Sequence, residues 1–258
     1  MGAENYTLGK GVLYFNRWQN AAYVGWKDLG NAPSLSFNVN IEKLEHFSSR
    51  GGLKVKDKEI ISQLTPSLSF TLDEITPENF ALLGLATIAD ESQAGGSVPA
   101  GTPEALVVDA SLVVTLKYRD VSNVVVKDQT DAVTYVAGTD YTISPADAKA
   151  GRIVILATGG IHNGDTIHVS YDYAAATYKK VKMFTETEVI GQLKFESANP
   201  TGTQLELFVP RVSLVPNGDT SFIGDDWSTL SFSGEVLKST DPKYVDSPYM
   251  SITMKPAA

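Results

Sequence analysis

Three histidines, a few paired carboxylates and one run of cations are what this chain offers to chemistry. His162 and His168 flank Asn163-Gly164-Asp165, a grouping that could bring two imidazoles and a carboxylate to one metal ion. The same residues form a strong tight-turn signal, and two hairpin side chains facing solvent are the preferred reading. Asp225-Asp226, Glu186 with Glu188, and Glu42 with Glu45 could supply the two carboxylates of glycoside hydrolysis. Nothing in their spacing singles out one pair. Asp225-Asp226-Trp227 would also suit a sugar- or calcium-binding loop; the plainer expectation is a solvated turn with Trp227 tucked against the next strand. The chain contains no HExxH, no Gly-x-Ser-x-Gly elbow and no Walker-type loop. Gly9-Lys10-Gly11 is too short to cradle phosphate. Without cysteine there are no disulfides, thiol nucleophiles or Cys-ligated zinc. We expect no catalytic residue, no cofactor and no metal site, and so a protein that is not an enzyme.

The cations make a more specific pattern. Arg50, Lys54, Lys56 and Lys58 lie with Gly51-Gly52 inside a polar stretch from Glu42 to Gln63. Nucleic-acid binding is one reading. Against it, Asp57 and Glu59 interleave with the lysines, and the whole chain carries a formal charge of −9. Such a protein repels passing nucleic acid. An isolated hairpin is marginal in water. A long arm bending at Gly51-Gly52 is better explained as one ordered against another subunit. Arg50, Gly51, Gly52, Lys54, Lys56 and Lys58 are therefore the candidate assembly residues. Tyr14, Phe15, Trp18, Tyr23 and Trp26 could stack on sugars or bases. Lacking accompanying cations, they read as core or subunit-interface packing.

The elements that hold these residues are mostly strands. Pro33 to Ile41 alternates Leu35, Phe37, Val39 and Ile41 with Ser34, Ser36, Asn38 and Asn40. A second alternating strand carries Leu68, Phe70 and Leu72. Further strands run through 11–17, 203–209, 228–236 and 250–254. One apolar and one polar face means antiparallel sheets packed on one side. One helix runs from about Pro77 to Ile88, with Thr76 as its cap and Pro77 in its first turn. Residues 89–102 and 174–177 read as linkers. Between them, residues 103–173 carry short strands at 105–108, 111–118, 123–127, 132–136, 152–156 and 166–173, the rhythm of a small immunoglobulin-like sandwich. The chain thus divides into a discontinuous domain, 1–94 plus 178–258, and an inserted module. No apolar run approaches the roughly 20 residues of a membrane helix. The N-terminus shows no signal peptide, and Asn5-Tyr6-Thr7 reads as a chance glycosylation triplet.

At this point the residues carry a resemblance. Gly11-Val12-Leu13-Tyr14-Phe15, Trp26-Lys27-Asp28-Leu29-Gly30-Asn31 and Pro33-Ser34-Leu35-Ser36-Phe37 resemble the start of the major tail tube proteins of long-tailed, siphovirus-like bacteriophages. So do Glu45-His46-Phe47-Ser48-Ser49-Arg50-Gly51-Gly52, Leu68-Ser69-Phe70-Thr71-Leu72-Asp73-Glu74 and Thr76-Pro77-Glu78-Asn79-Phe80-Ala81-Leu82-Leu83. Tyr135 to Thr142 and Gly164 to Tyr173 are similar to β modules that decorate virion proteins. The resemblance implies a mainly β fold: a tail-tube-type β-sandwich or half-barrel with one flanking α-helix, plus the inserted Ig-like sandwich. It implies a structural virion protein made in the host bacterial cytoplasm. Six copies would join edge to edge in a ring, and stacked rings would form the conduit for genome delivery. The implied partners are the protein itself, the tape measure and terminator proteins, and double-stranded DNA that passes without specific binding; no membrane is involved. The hairpin would reach the neighbouring ring and meet an acidic patch, so charge reversal at Lys54, Lys56 and Lys58 is expected to suppress tubes. Two other readings remain: a carbohydrate- or receptor-binding, adhesin-like β-sandwich, and a carbohydrate-active enzyme using an acidic pair.

Overall fold

The computed structural model describes residues 6–109 and 112–255. Asn5 of the glycosylation triplet and Ser111 of the expected strand 111–118 fall outside them. The fold is mainly β. In chain order the strands are β1 (Gly11–Gln19), β2 (Ala22–Tyr23), β3 (Lys27–Asp28), β4 (Ser34–Ser48) and β5 (Val55–Leu72). After helix α1 (Pro77–Leu83) come β6 (Thr87–Gln93), β7 (Gly96–Val98), β8 (Glu104–Val107), β9 (Val113–Thr115), β10 (Val121–Asp128) and β11 (Tyr141–Thr142). Helix α2 (Pro145–Ala150) precedes β12 (Arg152–Ile155), β13 (Thr166–Tyr173), β14 (Ala176–Lys182), β15 (Val189–Ser197), β16 (Gln204–Pro216), β17 (Leu230–Val236) and β18 (Ser251–Lys255). Two compact units result: Met1–Ala89 with Lys180–Ala258, and Asp90–Lys179.

The first unit is built on a nine-stranded sheet in the order β2-β1-β15-β16-β17-β5-β4, with β18 on β16 and β3 on β1. Its strands bury one face: Leu13 and Phe15 from β1, Leu193 from β15, Val209, Val212 and Leu214 from β16, Leu230 and Phe232 from β17, and Leu68, Phe70 and Leu72 from β5. The sheet curls, since Leu35, Phe37 and Leu68 line one slot together with Phe195, Leu207 and Ile252. Leu82 and Leu83 of α1 join this core. The helix is shorter than the expected 77–88. The Gly84 N–H closes the last turn on the Phe80 carbonyl oxygen, and Leu85 takes a left-handed φ of +47°, which turns the chain into β6. At the other end, Thr76 Oγ1 accepts from the Asn79 N–H at 3.1 Å. Thr76→Ala should therefore cost about 1 kcal/mol, read as a lower urea midpoint at unchanged slope.

The second unit has a four-stranded sheet, β10-β13-β7 with β8 on β13, and a three-stranded sheet, β11-β12-β9. Both sheets contribute to one core, through Val126, Ile167 and Val169 on one side and Val114, Ile153 and Ile155 on the other. Three expectations for this region need correction. Residues 132–136 are not a strand. Asp128 accepts the Val133 N–H and Asp140 accepts the Val136 N–H, both at 2.7 Å, so side chains satisfy backbone groups that a strand neighbour would otherwise take. Helix α2 was not foreseen, although Ser144-Pro145-Ala146-Asp147 forms a full capping box around its first turn. The expected linkers are not irregular either: 89–102 carries most of β6 and all of β7, and 174–177 leads into β14. Strands β6 and β14 pair as a ribbon laced by Thr87–Thr185 and Ser92–Thr177 hydroxyl contacts.

Candidate functional site

The hairpin β4–β5 outruns the sheet that supports it. Only Ser67–Leu72 of β5 pairs with β17. The remaining Val55–Pro66 pairs with β4 alone, so a two-stranded arm extends about 40 Å past the sheet. The polar stretch expected between short strands is thus mostly strand, with residues 49–54 as the bend. Its period-two pattern is hidden by register shifts between Glu42 and Lys43 and between His46 and Phe47. A bulge slips the phase, so apolar side chains change faces along the arm. Near the sheet, Leu35, Phe37, Val39 and Ile41 oppose Phe70, Leu68, Pro66 and Leu64. Past the first shift, Leu44 opposes Ile60 on the other face. Leu44 is 63 % exposed and Ile60 52 % exposed.

The opposite face of the outer arm is ionic. Glu45 and Glu59 stand directly across from each other, a repulsive placement. Lys56 relieves it by pairing with both, and Lys43 pairs with Glu59. These hydrogen bonds, from Lys43 first and Lys56 second, hold the Glu59 carboxyl down at about 2. They correspondingly raise the Lys56 ammonium. Because the folded value lies below the ordinary 4.5, Glu59 supports the arm fully above pH 4.5 and progressively less as pH falls toward 2. Cross-strand contacts between Glu45, Lys56 and Glu59 should accordingly loosen in that window, seen as arm-specific shifts in 1H–15N NMR spectra. A spectrum unchanged between pH 5 and pH 2 would refute this.

The arm is not as basic as its lysine run suggests. Between 42 and 63, Lys43, Arg50, Lys54, Lys56 and Lys58 face Glu42, Glu45, Asp57 and Glu59. Of the candidate assembly residues, Arg50, Gly51, Gly52 and Lys54 occupy the exposed bend and Lys58 lies on β5. Lys56 is taken up inside the arm. Ile60, Ile61 and Leu64, which return to strand pattern after the lysines, lie on β5; beside the charges Leu44, Phe47 and Val55, not singled out from the sequence, join Ile60 and Ile61 in an exposed apolar set. The outer edge of β4 has no partner among the described strands, which leaves a 15-residue template open for another chain.

The other candidates do not converge. His162 pairs with Asp165 and His168 with Asp131, at 3.6 and 3.1 Å. Among the described residues no group of three or more His, Asp or Glu side chains could hold a metal. The aromatic set separates: Phe15 is core, Trp18 meets Tyr23 edge-on at 4.7 Å, and Trp26 meets Phe208 at 6.2 Å. Trp227 is not tucked against a strand; it is 94 % exposed, in an irregular loop that does not return to the sheet until Leu230. A cavity of about 520 Å³ beside α1 is lined by Arg17, Lys27, Asp28 and Glu78 among others. Its charges are of mixed sign, and Arg17 donates to the Ala86 carbonyl oxygen at 3.2 Å. No helix among the described residues is long and apolar enough to cross a membrane.

Residues 6–253 match a protein-family model described as Protein of unknown function UCP028589. No curated protein matches the sequence.

Proposed function

We propose that this chain, which belongs to the protein family of unknown function UCP028589, is a structural subunit of the tail tube of a long-tailed bacteriophage. Six copies join into a ring through their sheet edges, and rings stack into a conduit for genome delivery. The protein is made in the bacterial cytoplasm and ends in the virion, beside the tape measure and terminator proteins. The observation that carries this reading is the hairpin. A two-stranded arm of about 40 Å with apolar side chains on both faces has no reason to persist alone in water. It has one if a second copy covers it. The open β4 edge points the same way, because ring closure removes edges that would otherwise template aggregation. An interface between two different patches of one chain closes into rings or propagates as filaments. The Ser/Asn face of β4, Ser34 to Asn40, supplies an uncharged surface that duplex DNA could pass without being gripped.

Negative-stain microscopy of the concentrated protein tests this. Rings or tubes of uniform width are expected, and replacing residues 43–62 by a two-residue Asn-Gly turn between the paired Glu42 and Gln63 should abolish the stacking. A shortened variant that still forms tubes of native length would refute the role given to the arm.

A further inference from the structure

A second pair of complementary surfaces lies on the same unit, away from the arm. Trp18, Tyr23, Arg211, Ser239, Thr240 and Asp241 line a pocket of about 290 Å³. Arg211 stands in its wall with a buried Nε that has no hydrogen-bond acceptor. Among the described residues its guanidinium also makes no ion pair. Asp241 lines the same pocket without an ion pair to Arg211, its Oδ1 accepting the Lys243 N–H at 3.0 Å. A guanidinium carries five donors and no acceptor, so the unpaired Arg211 suits an anion with planar, two-oxygen geometry. Trp, Tyr and Arg are also the residues on which binding energy concentrates at protein interfaces.

The loop between β16 and β17 has the opposite character. Phe222 lies parallel to Phe80 of α1 at 6.0 Å, 6° between the rings, a peripheral contact that leaves Phe222 itself 76 % exposed. Further along, Ile223 is 93 % exposed and Trp227 94 % exposed. Asp225 and Asp226 stand between them, with no ion pair among the described residues. A carboxylate next to an aromatic ring is what an arginine next to Trp18 and Tyr23 would accept. The loop leaves the sheet at the other end from its own pocket: Arg211 lies five residues before Pro216, about 16 Å down β16, level with the Val236 end of β17 and not with Leu230, where the loop returns.

We infer that the loop 217–229 of one copy docks in the Arg211 pocket of a second copy, Asp225 or Asp226 meeting the guanidinium and Trp227 packing on Trp18 and Tyr23. The two patches differ, so the contact is head-to-tail and propagates. The inference rests on the self-assembly reading above and supplies it with a lateral or axial contact independent of the arm.

The absence of cysteine permits a direct test. Full-length Thr240→Cys and Gly224→Cys copies, mixed in equal amounts under mild oxidation, should give a disulfide-linked dimer on a non-reducing gel, at least tenfold above either copy alone. Adding Arg211→Glu to the Thr240→Cys copy should reduce it to background. Asp225→Asn with Asp226→Asn, on an exposed loop where folding is not at stake, should reduce it several-fold. Thr130→Cys in the second unit, mixed with Gly224→Cys, is the control pair. A mixture that cross-links no more than the control, or that ignores both charge changes, overturns the inference. Electron microscopy of the same samples separates the two ideas. Rings without the cross-link would remove this contact and leave the tube reading standing. A charge-dependent cross-link without rings or tubes would keep the contact and count against the tube.

Discussion

Leu44→Glu combined with Ile60→Glu is expected to leave the protein folded and to abolish its assembly into stacked rings. Both side chains are largely exposed, so the folded subunit loses little packing by the change; the two glutamates would face each other across the arm, a repulsion of about 0.2–1 kcal/mol for a directly opposed pair. In an assembly they would be covered. Burying the part of Leu44 and Ile60 that is still exposed is worth about 1–2 kcal/mol each, and a glutamate in the same place adds a desolvation cost. The expected loss of about 2–4 kcal/mol per arm recurs in every subunit of a ring. Charge reversal of the lysines is the natural comparison. Lys56 is a poor choice for it: its ammonium bridges Glu45 and Glu59, and reversing it would place three carboxylates together within the arm. Lys54 and Lys58 test the intermolecular charge contact cleanly. Exposed ion pairs are typically worth 0–1 kcal/mol, so Lys54→Glu with Lys58→Glu should shift the salt dependence of assembly without stopping it. Sedimentation velocity across a salt series reads both variants. Tubes formed normally by the Leu44/Ile60 variant, but not by the Lys54/Lys58 variant, would return the arm to an electrostatic contact and sink the apolar one.

Much of the fold was legible because a strand with one apolar face repeats with period two in the sequence, whether that face is buried, as on β5 and β17, or exposed, as at Phe37, Val39 and Ile41. The apolar alternation through Leu35 to Ile41, Leu68 to Leu72 and Leu230 to Val236 fell on β4, β5 and β17. Thr76-Pro77 marked the start of α1 for an equally local reason. The hairpin itself was legible, but its residues 42–63 read as a polar stretch and not as strand, because the register shifts slip the cross-strand phase and a slipped phase looks like no phase at all. Residues 132–136 failed in the opposite direction. Val133 and Val136 have strand chemistry, but Asp128 and Asp140 take their N–H groups. The candidate site was legible only in part. Gly51-Gly52 marked the bend, and the length of the insertion marked an arm. Which cations were already paired depended on the cross-strand register, since Glu45 meets Glu59 only once the shift between Glu42 and Lys43 is known. Arg211 gave no signal at all. Its missing partner is a fact of three dimensions, set by Trp18, Thr240 and Asp241 arriving from distant parts of the chain.

Phe70→Ala should produce the largest loss of stability of any single change considered, and it should be confined to one unit. Phe70 is 1 % exposed and Phe232 fully buried, on neighbouring strands where they are register partners. Their rings stack at 4.9 Å, 14° from parallel. Truncating such a side chain removes its transfer energy and leaves a cavity the strands cannot close, for about 3–5 kcal/mol. That is a large share of the 5–15 kcal/mol typical of a domain. The core that contains Phe70 draws on β1, β15, β16, β17, β5 and α1, and it shares no residue with the core of Asp90–Lys179. Calorimetry of the variant should therefore show one transition lowered and the other in place. The double variant Phe70→Ala with Phe232→Ala should cost less than the sum of the singles, because the second truncation no longer breaks the ring contact, itself worth about 0.5–1.5 kcal/mol. Strict additivity would show that the stacking contributes nothing beyond buried area. A single transition lowered as a whole would show that the two units unfold as one cooperative body.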